Sequence, residues 1–200
     1  MIAEYELVTP LSDDDVKKLK VRDIVYINGI IYTARDLAHI RIKDYLEEGK
    51  ELPVDFRGAV IFHAGPAVRK RNGEWEITGI GPTTSYRMEP FSDIIFSKLG
   101  VKALIGKGRM GEKTLENLKR YGGVFLIAPP GCSAIIVESV EEVLSSFWLD
   151  LGVPEAIWVL KVRRFGPLIV AIDSHGNSIF NEVEENVMKA LNEIRFAMKG

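Results

Sequence analysis

The residues able to do chemistry in this sequence gather in three short polar segments, each beside a glycine or the end of an element. Thr33-Ala34-Arg35-Asp36-Leu37-Ala38-His39 falls where a β-branched run passes into a helical pattern. Such a junction exposes unpaired backbone N–H groups and the positive end of a helix dipole, which attract anions. Arg35 adds a planar fork suited to a carboxylate. The plainer reading is that Thr33 caps the helix, Asp36 complements its dipole and Arg35 is solvated, and spacing alone favours it. The second segment, Gly81-Pro82-Thr83-Thr84-Ser85-Tyr86-Arg87-Met88, sets three hydroxyls and an arginine close together after a Gly-Pro turn. It either presents those groups to a ligand or satisfies its own backbone with them, and the two readings stand about even. The third, Gly106-Lys107-Gly108-Arg109-Met110-Gly111, follows a strand and precedes a helix, the context of an oxyanion site. It lacks the P-loop pattern, since no Ser or Thr follows Lys107. Its plainer reading is a flexible turn with surface charges.

Other candidates are poorer. Cys132 has no base signalled nearby and reads as a small buried side chain. His63 and His175 are lone histidines without ligand spacing. Neither a Ser-His-Asp arrangement nor a metal motif is visible. The segments together supply cations and hydroxyls for a small anionic substrate, and too little for hydrolysis or redox work unaided. The chain therefore reads as part of an enzyme.

These segments must be positioned by the elements around them. Glu4 to Val8 reads as a strand, and Ser12-Asp13-Asp14-Asp15 opens a short helix. Asp23 to Thr33 reads as a hairpin turning at Asn28-Gly29, and Val68 to Ile80 as a second one turning at Asn72-Gly73. Ala34 to Glu48 is helical and ends at Gly49. Gly58 to His63 is a buried strand. Beyond residue 80 strands alternate with helices: a helix over Phe91 to Leu99, a strand at Ala103 to Ile105, a helix over Glu112 to Tyr121 and a strand over Val124 to Ala128. Ser133 to Leu144 is ambiguous. Ile157 to Val162 and Leu168 to Asp173 read as separate strands. A last helix starts at a capping-box-like Asn181 and Glu184, with Val183, Val187, Ala190, Leu191 and Ile194 on one face. Alternation of this kind implies an α/β fold with a parallel or mixed sheet.

The totals agree with a globular chain. It has 200 residues, 46% hydrophobic and 27% charged, which suits one domain over 1–200. A net charge of −2 argues against bulk nucleic-acid binding, and Arg69-Lys70-Arg71 reads as a solvated hairpin tip. One cysteine excludes an internal disulfide and cannot hold an iron–sulfur cluster by itself. Without a signal-like start or a membrane-length apolar run, the expected location is cytoplasmic.

In order and rough spacing the three segments resemble the β subunit of class I fumarate hydratases and L-tartrate dehydratases. Further matches are His63-Ala64-Gly65-Pro66, Pro154-Glu155-Ala156-Ile157-Trp158 and Ile172-Asp173 with Gly176-Asn177. Arg109 stands where relatives commonly have glycine. The Pro130-Gly131-Cys132-Ser133 stretch is also more polar than the small-residue run such relatives carry.

The resemblance implies a swivelling β/β/α domain, with a β-rich layer beside an α/β layer. It implies a hydro-lyase of the tricarboxylic acid cycle that hydrates fumarate to malate, with L-tartrate dehydration as the alternative. It also implies a [4Fe–4S] cluster held by a separate α subunit, in an α2β2 assembly, and a chain that is inactive alone. Such a cluster would act as a Lewis acid toward the leaving hydroxyl. Arg35, Arg87 and Lys107 would hold the substrate carboxylates. Thr83 would lie close to the reacting carbon, as a binding partner or in proton transfer, and His39 and Thr84 would support them. A rival of another class is a non-catalytic domain that binds small carboxylates.

Overall fold

The computed structural model describes residues 2–131 and 133–197. The expectation for Cys132 lies outside them. The elements in chain order are β1 (Glu4–Val8), α1 (Asp13–Lys17), β2 (Ile24–Thr33), α2 (Asp36–Glu47), β3 (Val60–Phe62), β4 (Ala67–Arg71) and β5 (Glu74–Gly79). There follow β6 (Ala103–Gly106), α3 (Glu112–Tyr121), β7 (Val124–Ile127), α4 (Ser133–Glu138), β8 (Val140–Phe147), β9 (Ile157–Ile172) and α5 (Ile179–Ala197). A 3-10 turn over Ser85–Phe91 and a π-helical turn over Ile94–Lys98 link β5 to β6. The helix expected over Phe91 to Leu99 is thus broken into unlike turns. Pro90, which has no N–H to donate, lies within the first of them.

The fold is α/β with a mixed sheet. β2, β3, β6 and β7 run parallel as neighbours, and β9 lies antiparallel to both β7 and β2. The pairings therefore close into a ring, β2-β3-β6-β7-β9-β2, with β1 added on β2 and β8 on β9. The change of sequence pattern near residue 80 marks no break in this sheet, because strands from both sides of it share the ring.

Strand alternation divides the apolar residues between two faces. Val25, Ile27, Ile31, Phe62, Ile105, Leu126, Leu160, Phe165 and Val170 point to one face and pack together. Phe62 and Phe165, on strands that are not neighbours, meet edge to face at 5.3 Å, so this face is the ring's interior. Ile61, Leu104, Phe125, Ile157 and Ala171 point outward, where Ala38 and Ile42 of α2 and Leu118 of α3 cover them.

The structure corrects several readings. Asn28-Gly29 makes no hairpin. β2 runs straight through it, with register shifts against β9 on either side of Ile27. Gly29 takes a positive φ of 101°, and a Cβ there would fall 2.5 Å from Thr9 Oγ1, so close approach of Thr9 demands glycine. Asn28 Oδ1 accepts from Arg164 N at 2.8 Å, which pins a bulge on β2 to one on β9. The two strands expected over Ile157 to Asp173 are a single strand of 16 residues. Thr33 does not cap α2. Its hydroxyl donates to Ala156 O and accepts from Trp158 N, which ties β2 to β9. α5 begins two residues before Asn181, with Ser178 Oγ accepting from Phe180 N. Val183, Val187, Leu191 and Ile194, the stripe on its one apolar face, are exposed.

Other readings stand. Ser12 forms a full capping box with Asp15. Asn72 and Gly73, at φ 54° and 89°, turn the β4–β5 hairpin. Among the described residues no helix is long and apolar enough to cross a membrane.

Candidate functional site

The three polar segments meet at one end of the ring, where β2, β3 and β6 stop. Arg35 is the N-cap residue of α2, directly after β2. Thr83 follows the β4–β5 hairpin and is held by its backbone: its N–H donates to His63 O at 2.7 Å. Lys107 follows β6. Its N–H donates to Thr83 O at 3.3 Å, and its carbonyl accepts from Ser85 N at 3.1 Å. A local parallel bridge between Thr84 and Lys107 thus fixes the second segment to the third.

Arg87, on the 3-10 turn, joins the second segment to the first. Its Nε and Nη2 donate to the two oxygens of Asp36 at 2.9 Å each, and Nη2 also donates to Thr83 Oγ1 at 2.9 Å. Burial alone would raise the Asp36 carboxyl, but the Arg87 fork outweighs it and holds the pKa below the ordinary value. Arg35 leans on Glu155, with Nε 3.3 Å from Oε1. The other Glu155 oxygen accepts from Leu37 N at 2.9 Å and so caps the start of α2. Gly65 makes room for the Arg35 side chain, since a Cβ there would sit 2.7 Å from Nη1.

The structure thus brings Arg35, Thr83, Arg87 and Lys107 into one constellation. Arg87 and Arg35 face two internal carboxylates, Asp36 and Glu155, and Lys107 is held beside them through its backbone. Arg87 and Arg35 are 45% and 25% exposed at the side chain, which leaves them reachable. Thr84 points outward as an exposed neighbour. His39 is buried behind the site rather than on its surface. Arg109 pairs with Glu184 at the root of α5. No group of three His, Cys, Asp or Glu among the described residues could hold a metal ion, so these residues do not fit an iron–sulfur cluster bound by this chain.

Sequence reasoning missed Asp36 and Glu155 as partners of the arginines, and His63 and Ser85 as supports. Glu89 was missed as well. Its carboxylate accepts from Gly111 N and Thr114 N, capping α3 beside the third segment. Asp36 and Ser85 stand inside the segments already singled out, but their partners Arg87 and His63 lie in other segments.

Both buried histidines hold their ring nitrogens away from water. Burial pushes His39 down to about 4, outweighing the Arg35 carbonyl and Asp36, which act to raise it. Burial, aided by His39 and Arg87, pushes His63 well below its ordinary value. The unfolded chain therefore binds more protons below about pH 6.5, and stability rises with pH across that window. It is fully present above pH 6.5 and is lost as the pH falls toward 4. Each histidine contributes up to about 1.4 kcal/mol per pH unit. Thermal midpoints measured at pH 7, 6 and 5 fall in that order, with a shallower slope in His39→Phe.

The fold is an α/β domain whose strand ends carry a cluster of two arginines, a lysine and a threonine. Its family follows from comparison with known proteins. The family model described as Fumarase C-terminus matches residues 2–183. The chain belongs to this family, the class I fumarate hydratase and tartrate dehydratase β family.

One similar protein is the "Putative L(+)-tartrate dehydratase subunit beta" of Methanocaldococcus jannaschii. It is 49% identical over 185 residues, 92% of this chain and 95% of that protein. Another is the L(+)-tartrate dehydratase subunit beta of Escherichia coli K12, 42% identical over 176 residues, 88% and 86% of the two chains. A third is the "Putative fumarate hydratase class I" of Geobacillus stearothermophilus. It is 42% identical over 190 residues, 94% of this chain but 36% of that longer protein.

Proposed function

We propose that this chain is the β subunit of a hydro-lyase that interconverts fumarate and malate, inactive alone and completed by an α subunit. The observation that carries the reading is the meeting of Arg35, Thr83, Arg87 and Lys107 on one reachable face. The [4Fe–4S] cluster is assigned to the α subunit, because the one cysteine of this chain cannot hold a cluster by itself. An α2β2 assembly is the proposed form.

The roles of this chain's own groups follow from charge. Arg35, Arg87 and Lys107 hold the two carboxylates of a four-carbon acid. Loss of a proton next to a carboxylate builds negative charge on that carboxylate, and fixed cations stabilise it without reorganising. Thr83 already accepts a hydrogen bond from Arg87, which makes its oxygen a weaker base and leaves its own proton to donate. Its role is therefore to orient the substrate beside the reacting carbon. Thr84 and His39 support the segments that carry these groups.

Dehydration of L-tartrate is the second reading. It is favoured by the two relatives that match this chain nearly end to end, both named as tartrate dehydratase β subunits. A third, non-catalytic reading is carriage of small carboxylates. Anaerobic co-expression with a cysteine-bearing α subunit and cluster reconstitution separates the three. Hydration of fumarate by the pair, with none by this chain alone, is expected. Activity on tartrate alone selects the second reading. Inactivity of the pair on both, with dicarboxylate binding retained, selects the third. Full activity of this chain alone sinks the shared site.

A further inference from the structure

His39 and His63 come from two different segments of the sequence, yet they meet behind the site. Both are buried, and their rings pack edge to face with centroids 5.4 Å apart at 70°. His39 Nδ1 lies 2.8 Å from Arg35 O. A carbonyl only accepts, so Nδ1 carries the proton and His39 is fixed as that tautomer. The same carbonyl accepts from His39 N at 2.9 Å, so both groups hold the backbone of Arg35. His63 Nδ1 lies 3.0 Å from Ser85 Oγ. Through its backbone His63 also receives Thr83 N and donates to Ile105 O at 2.8 Å, one residue before Gly106.

The Nε2 atoms of both rings are buried without a hydrogen-bond partner. Leaving two such nitrogens bare is costly, and apolar side chains would fill the space without that cost. The histidines therefore earn their place through the Nδ1 contacts. The third segment is shaped around the same pair. A Cβ on Gly106 would fall 1.7 Å from Ser85 Oγ and 3.3 Å from His63 Nδ1.

We propose that His39 and His63 are positioning residues, a two-ring latch that keeps Arg35, Thr83 and Lys107 in register. Neither touches substrate. His39 sets the backbone of Arg35. His63 sets Thr83 by its carbonyl and, through Ser85, the backbone of Lys107. The edge-to-face contact of the two rings couples one set to the other. The inference rests on the hydro-lyase reading and deepens it, since it names what aligns that site's arms.

The test uses the assembled enzyme. His39→Phe and His63→Phe keep a ring in place and remove the Nδ1 contact. Each raises KM about tenfold with kcat within about threefold, because misaligned arms weaken ground state and transition state alike. His39→Asn and His63→Asn place an amide nitrogen near the old Nδ1 position and recover most of that loss, although they lose the ring. A merely structural role gives the opposite order, with Asn worse than Phe and KM tracking the thermal midpoint. That order, or unchanged KM in both Phe variants, overturns the latch. Nitrogen-15 NMR of the intact chain reads the same arrangement without activity: the His39 proton sits on Nδ1 at pH 7, and a proton on Nε2 overturns it. If the wild-type pair has no hydro-lyase activity, the functional reading fails while the NMR arm still judges the latch.

Discussion

Arg87→Ala lowers kcat/KM of the assembled enzyme by about 10- to 150-fold, the range that follows from losing a charge-assisted contact of about 1.5–3 kcal/mol. The expectation comes from how the guanidinium is already used. Nε and Nη2 are committed to Asp36, and Nη2 also to Thr83, so Nη1 is the nitrogen left for a substrate carboxylate. Alanine removes that contact, frees Asp36 to repel a dianion and releases the Thr83 hydroxyl at one stroke. Arg87→Lys keeps the charge but cannot span Asp36 and Thr83 with a planar fork, so it falls between wild type and alanine. Asp36→Asn is the milder control. A partly exposed pair is worth about 0.2–1 kcal/mol, which limits its effect to about fivefold or less. Steady-state kinetics on the three variants checks the order, and an unchanged Arg87→Ala removes this residue from the site.

The largest stability effect belongs to Trp158→Ala. Trp158 is fully buried on β9, with Nε1 donating to Val153 O at 2.9 Å and the ring standing edge to face with Trp75 at 5.4 Å. Emptying such a site costs about 3–5 kcal/mol, from lost burial and from the cavity left behind. For a chain of this size each kcal/mol lowers the melting midpoint by about 2–4 °C, so the fall is about 6–20 °C. Trp158→Phe retains most of the volume and gives a smaller fall. Calorimetry on the isolated chain measures both.

The chemistry-bearing residues were legible because each sits at the end of an element that announces itself locally. Gly49, Asn72-Gly73 and the Ser12 box bound their elements by turn and cap chemistry that acts over a few residues. What failed was local chemistry overruled from a distance. Asn28-Gly29 reads as a hairpin turn, yet the glycine serves a close approach by Thr9 and the asparagine serves Arg164. Ile157 to Val162 and Leu168 to Asp173 read as two strands, yet β9 continues through the residues between them, paired with β2 on one side. The apolar stripe of α5 reads as one face of a helix, yet Val183, Val187, Leu191 and Ile194 are exposed among the described residues.

The site divides in the same way. Arg35, Thr83, Arg87 and Lys107 were visible as types in motifs. Glu155 stands in a motif with no role of its own to read, because its partner Arg35 lies 120 positions away along the chain. His63 looked solitary for the same reason, since nothing in its own neighbourhood foretells His39 or Ser85.

Closure of the strand ring by β9 has a consequence for synthesis on the ribosome. The three site segments are complete by Gly111, but the supports of the first come later. Glu155, Ala156 and Trp158 arrive with or just before β9, which then pairs with β2 across most of the chain. Contacts so distant in sequence form late, because a long loop must close before they return any stability. A nascent chain therefore carries its cationic residues long before it holds them in place. The three segments are held in register only after β9 has emerged and closed the ring.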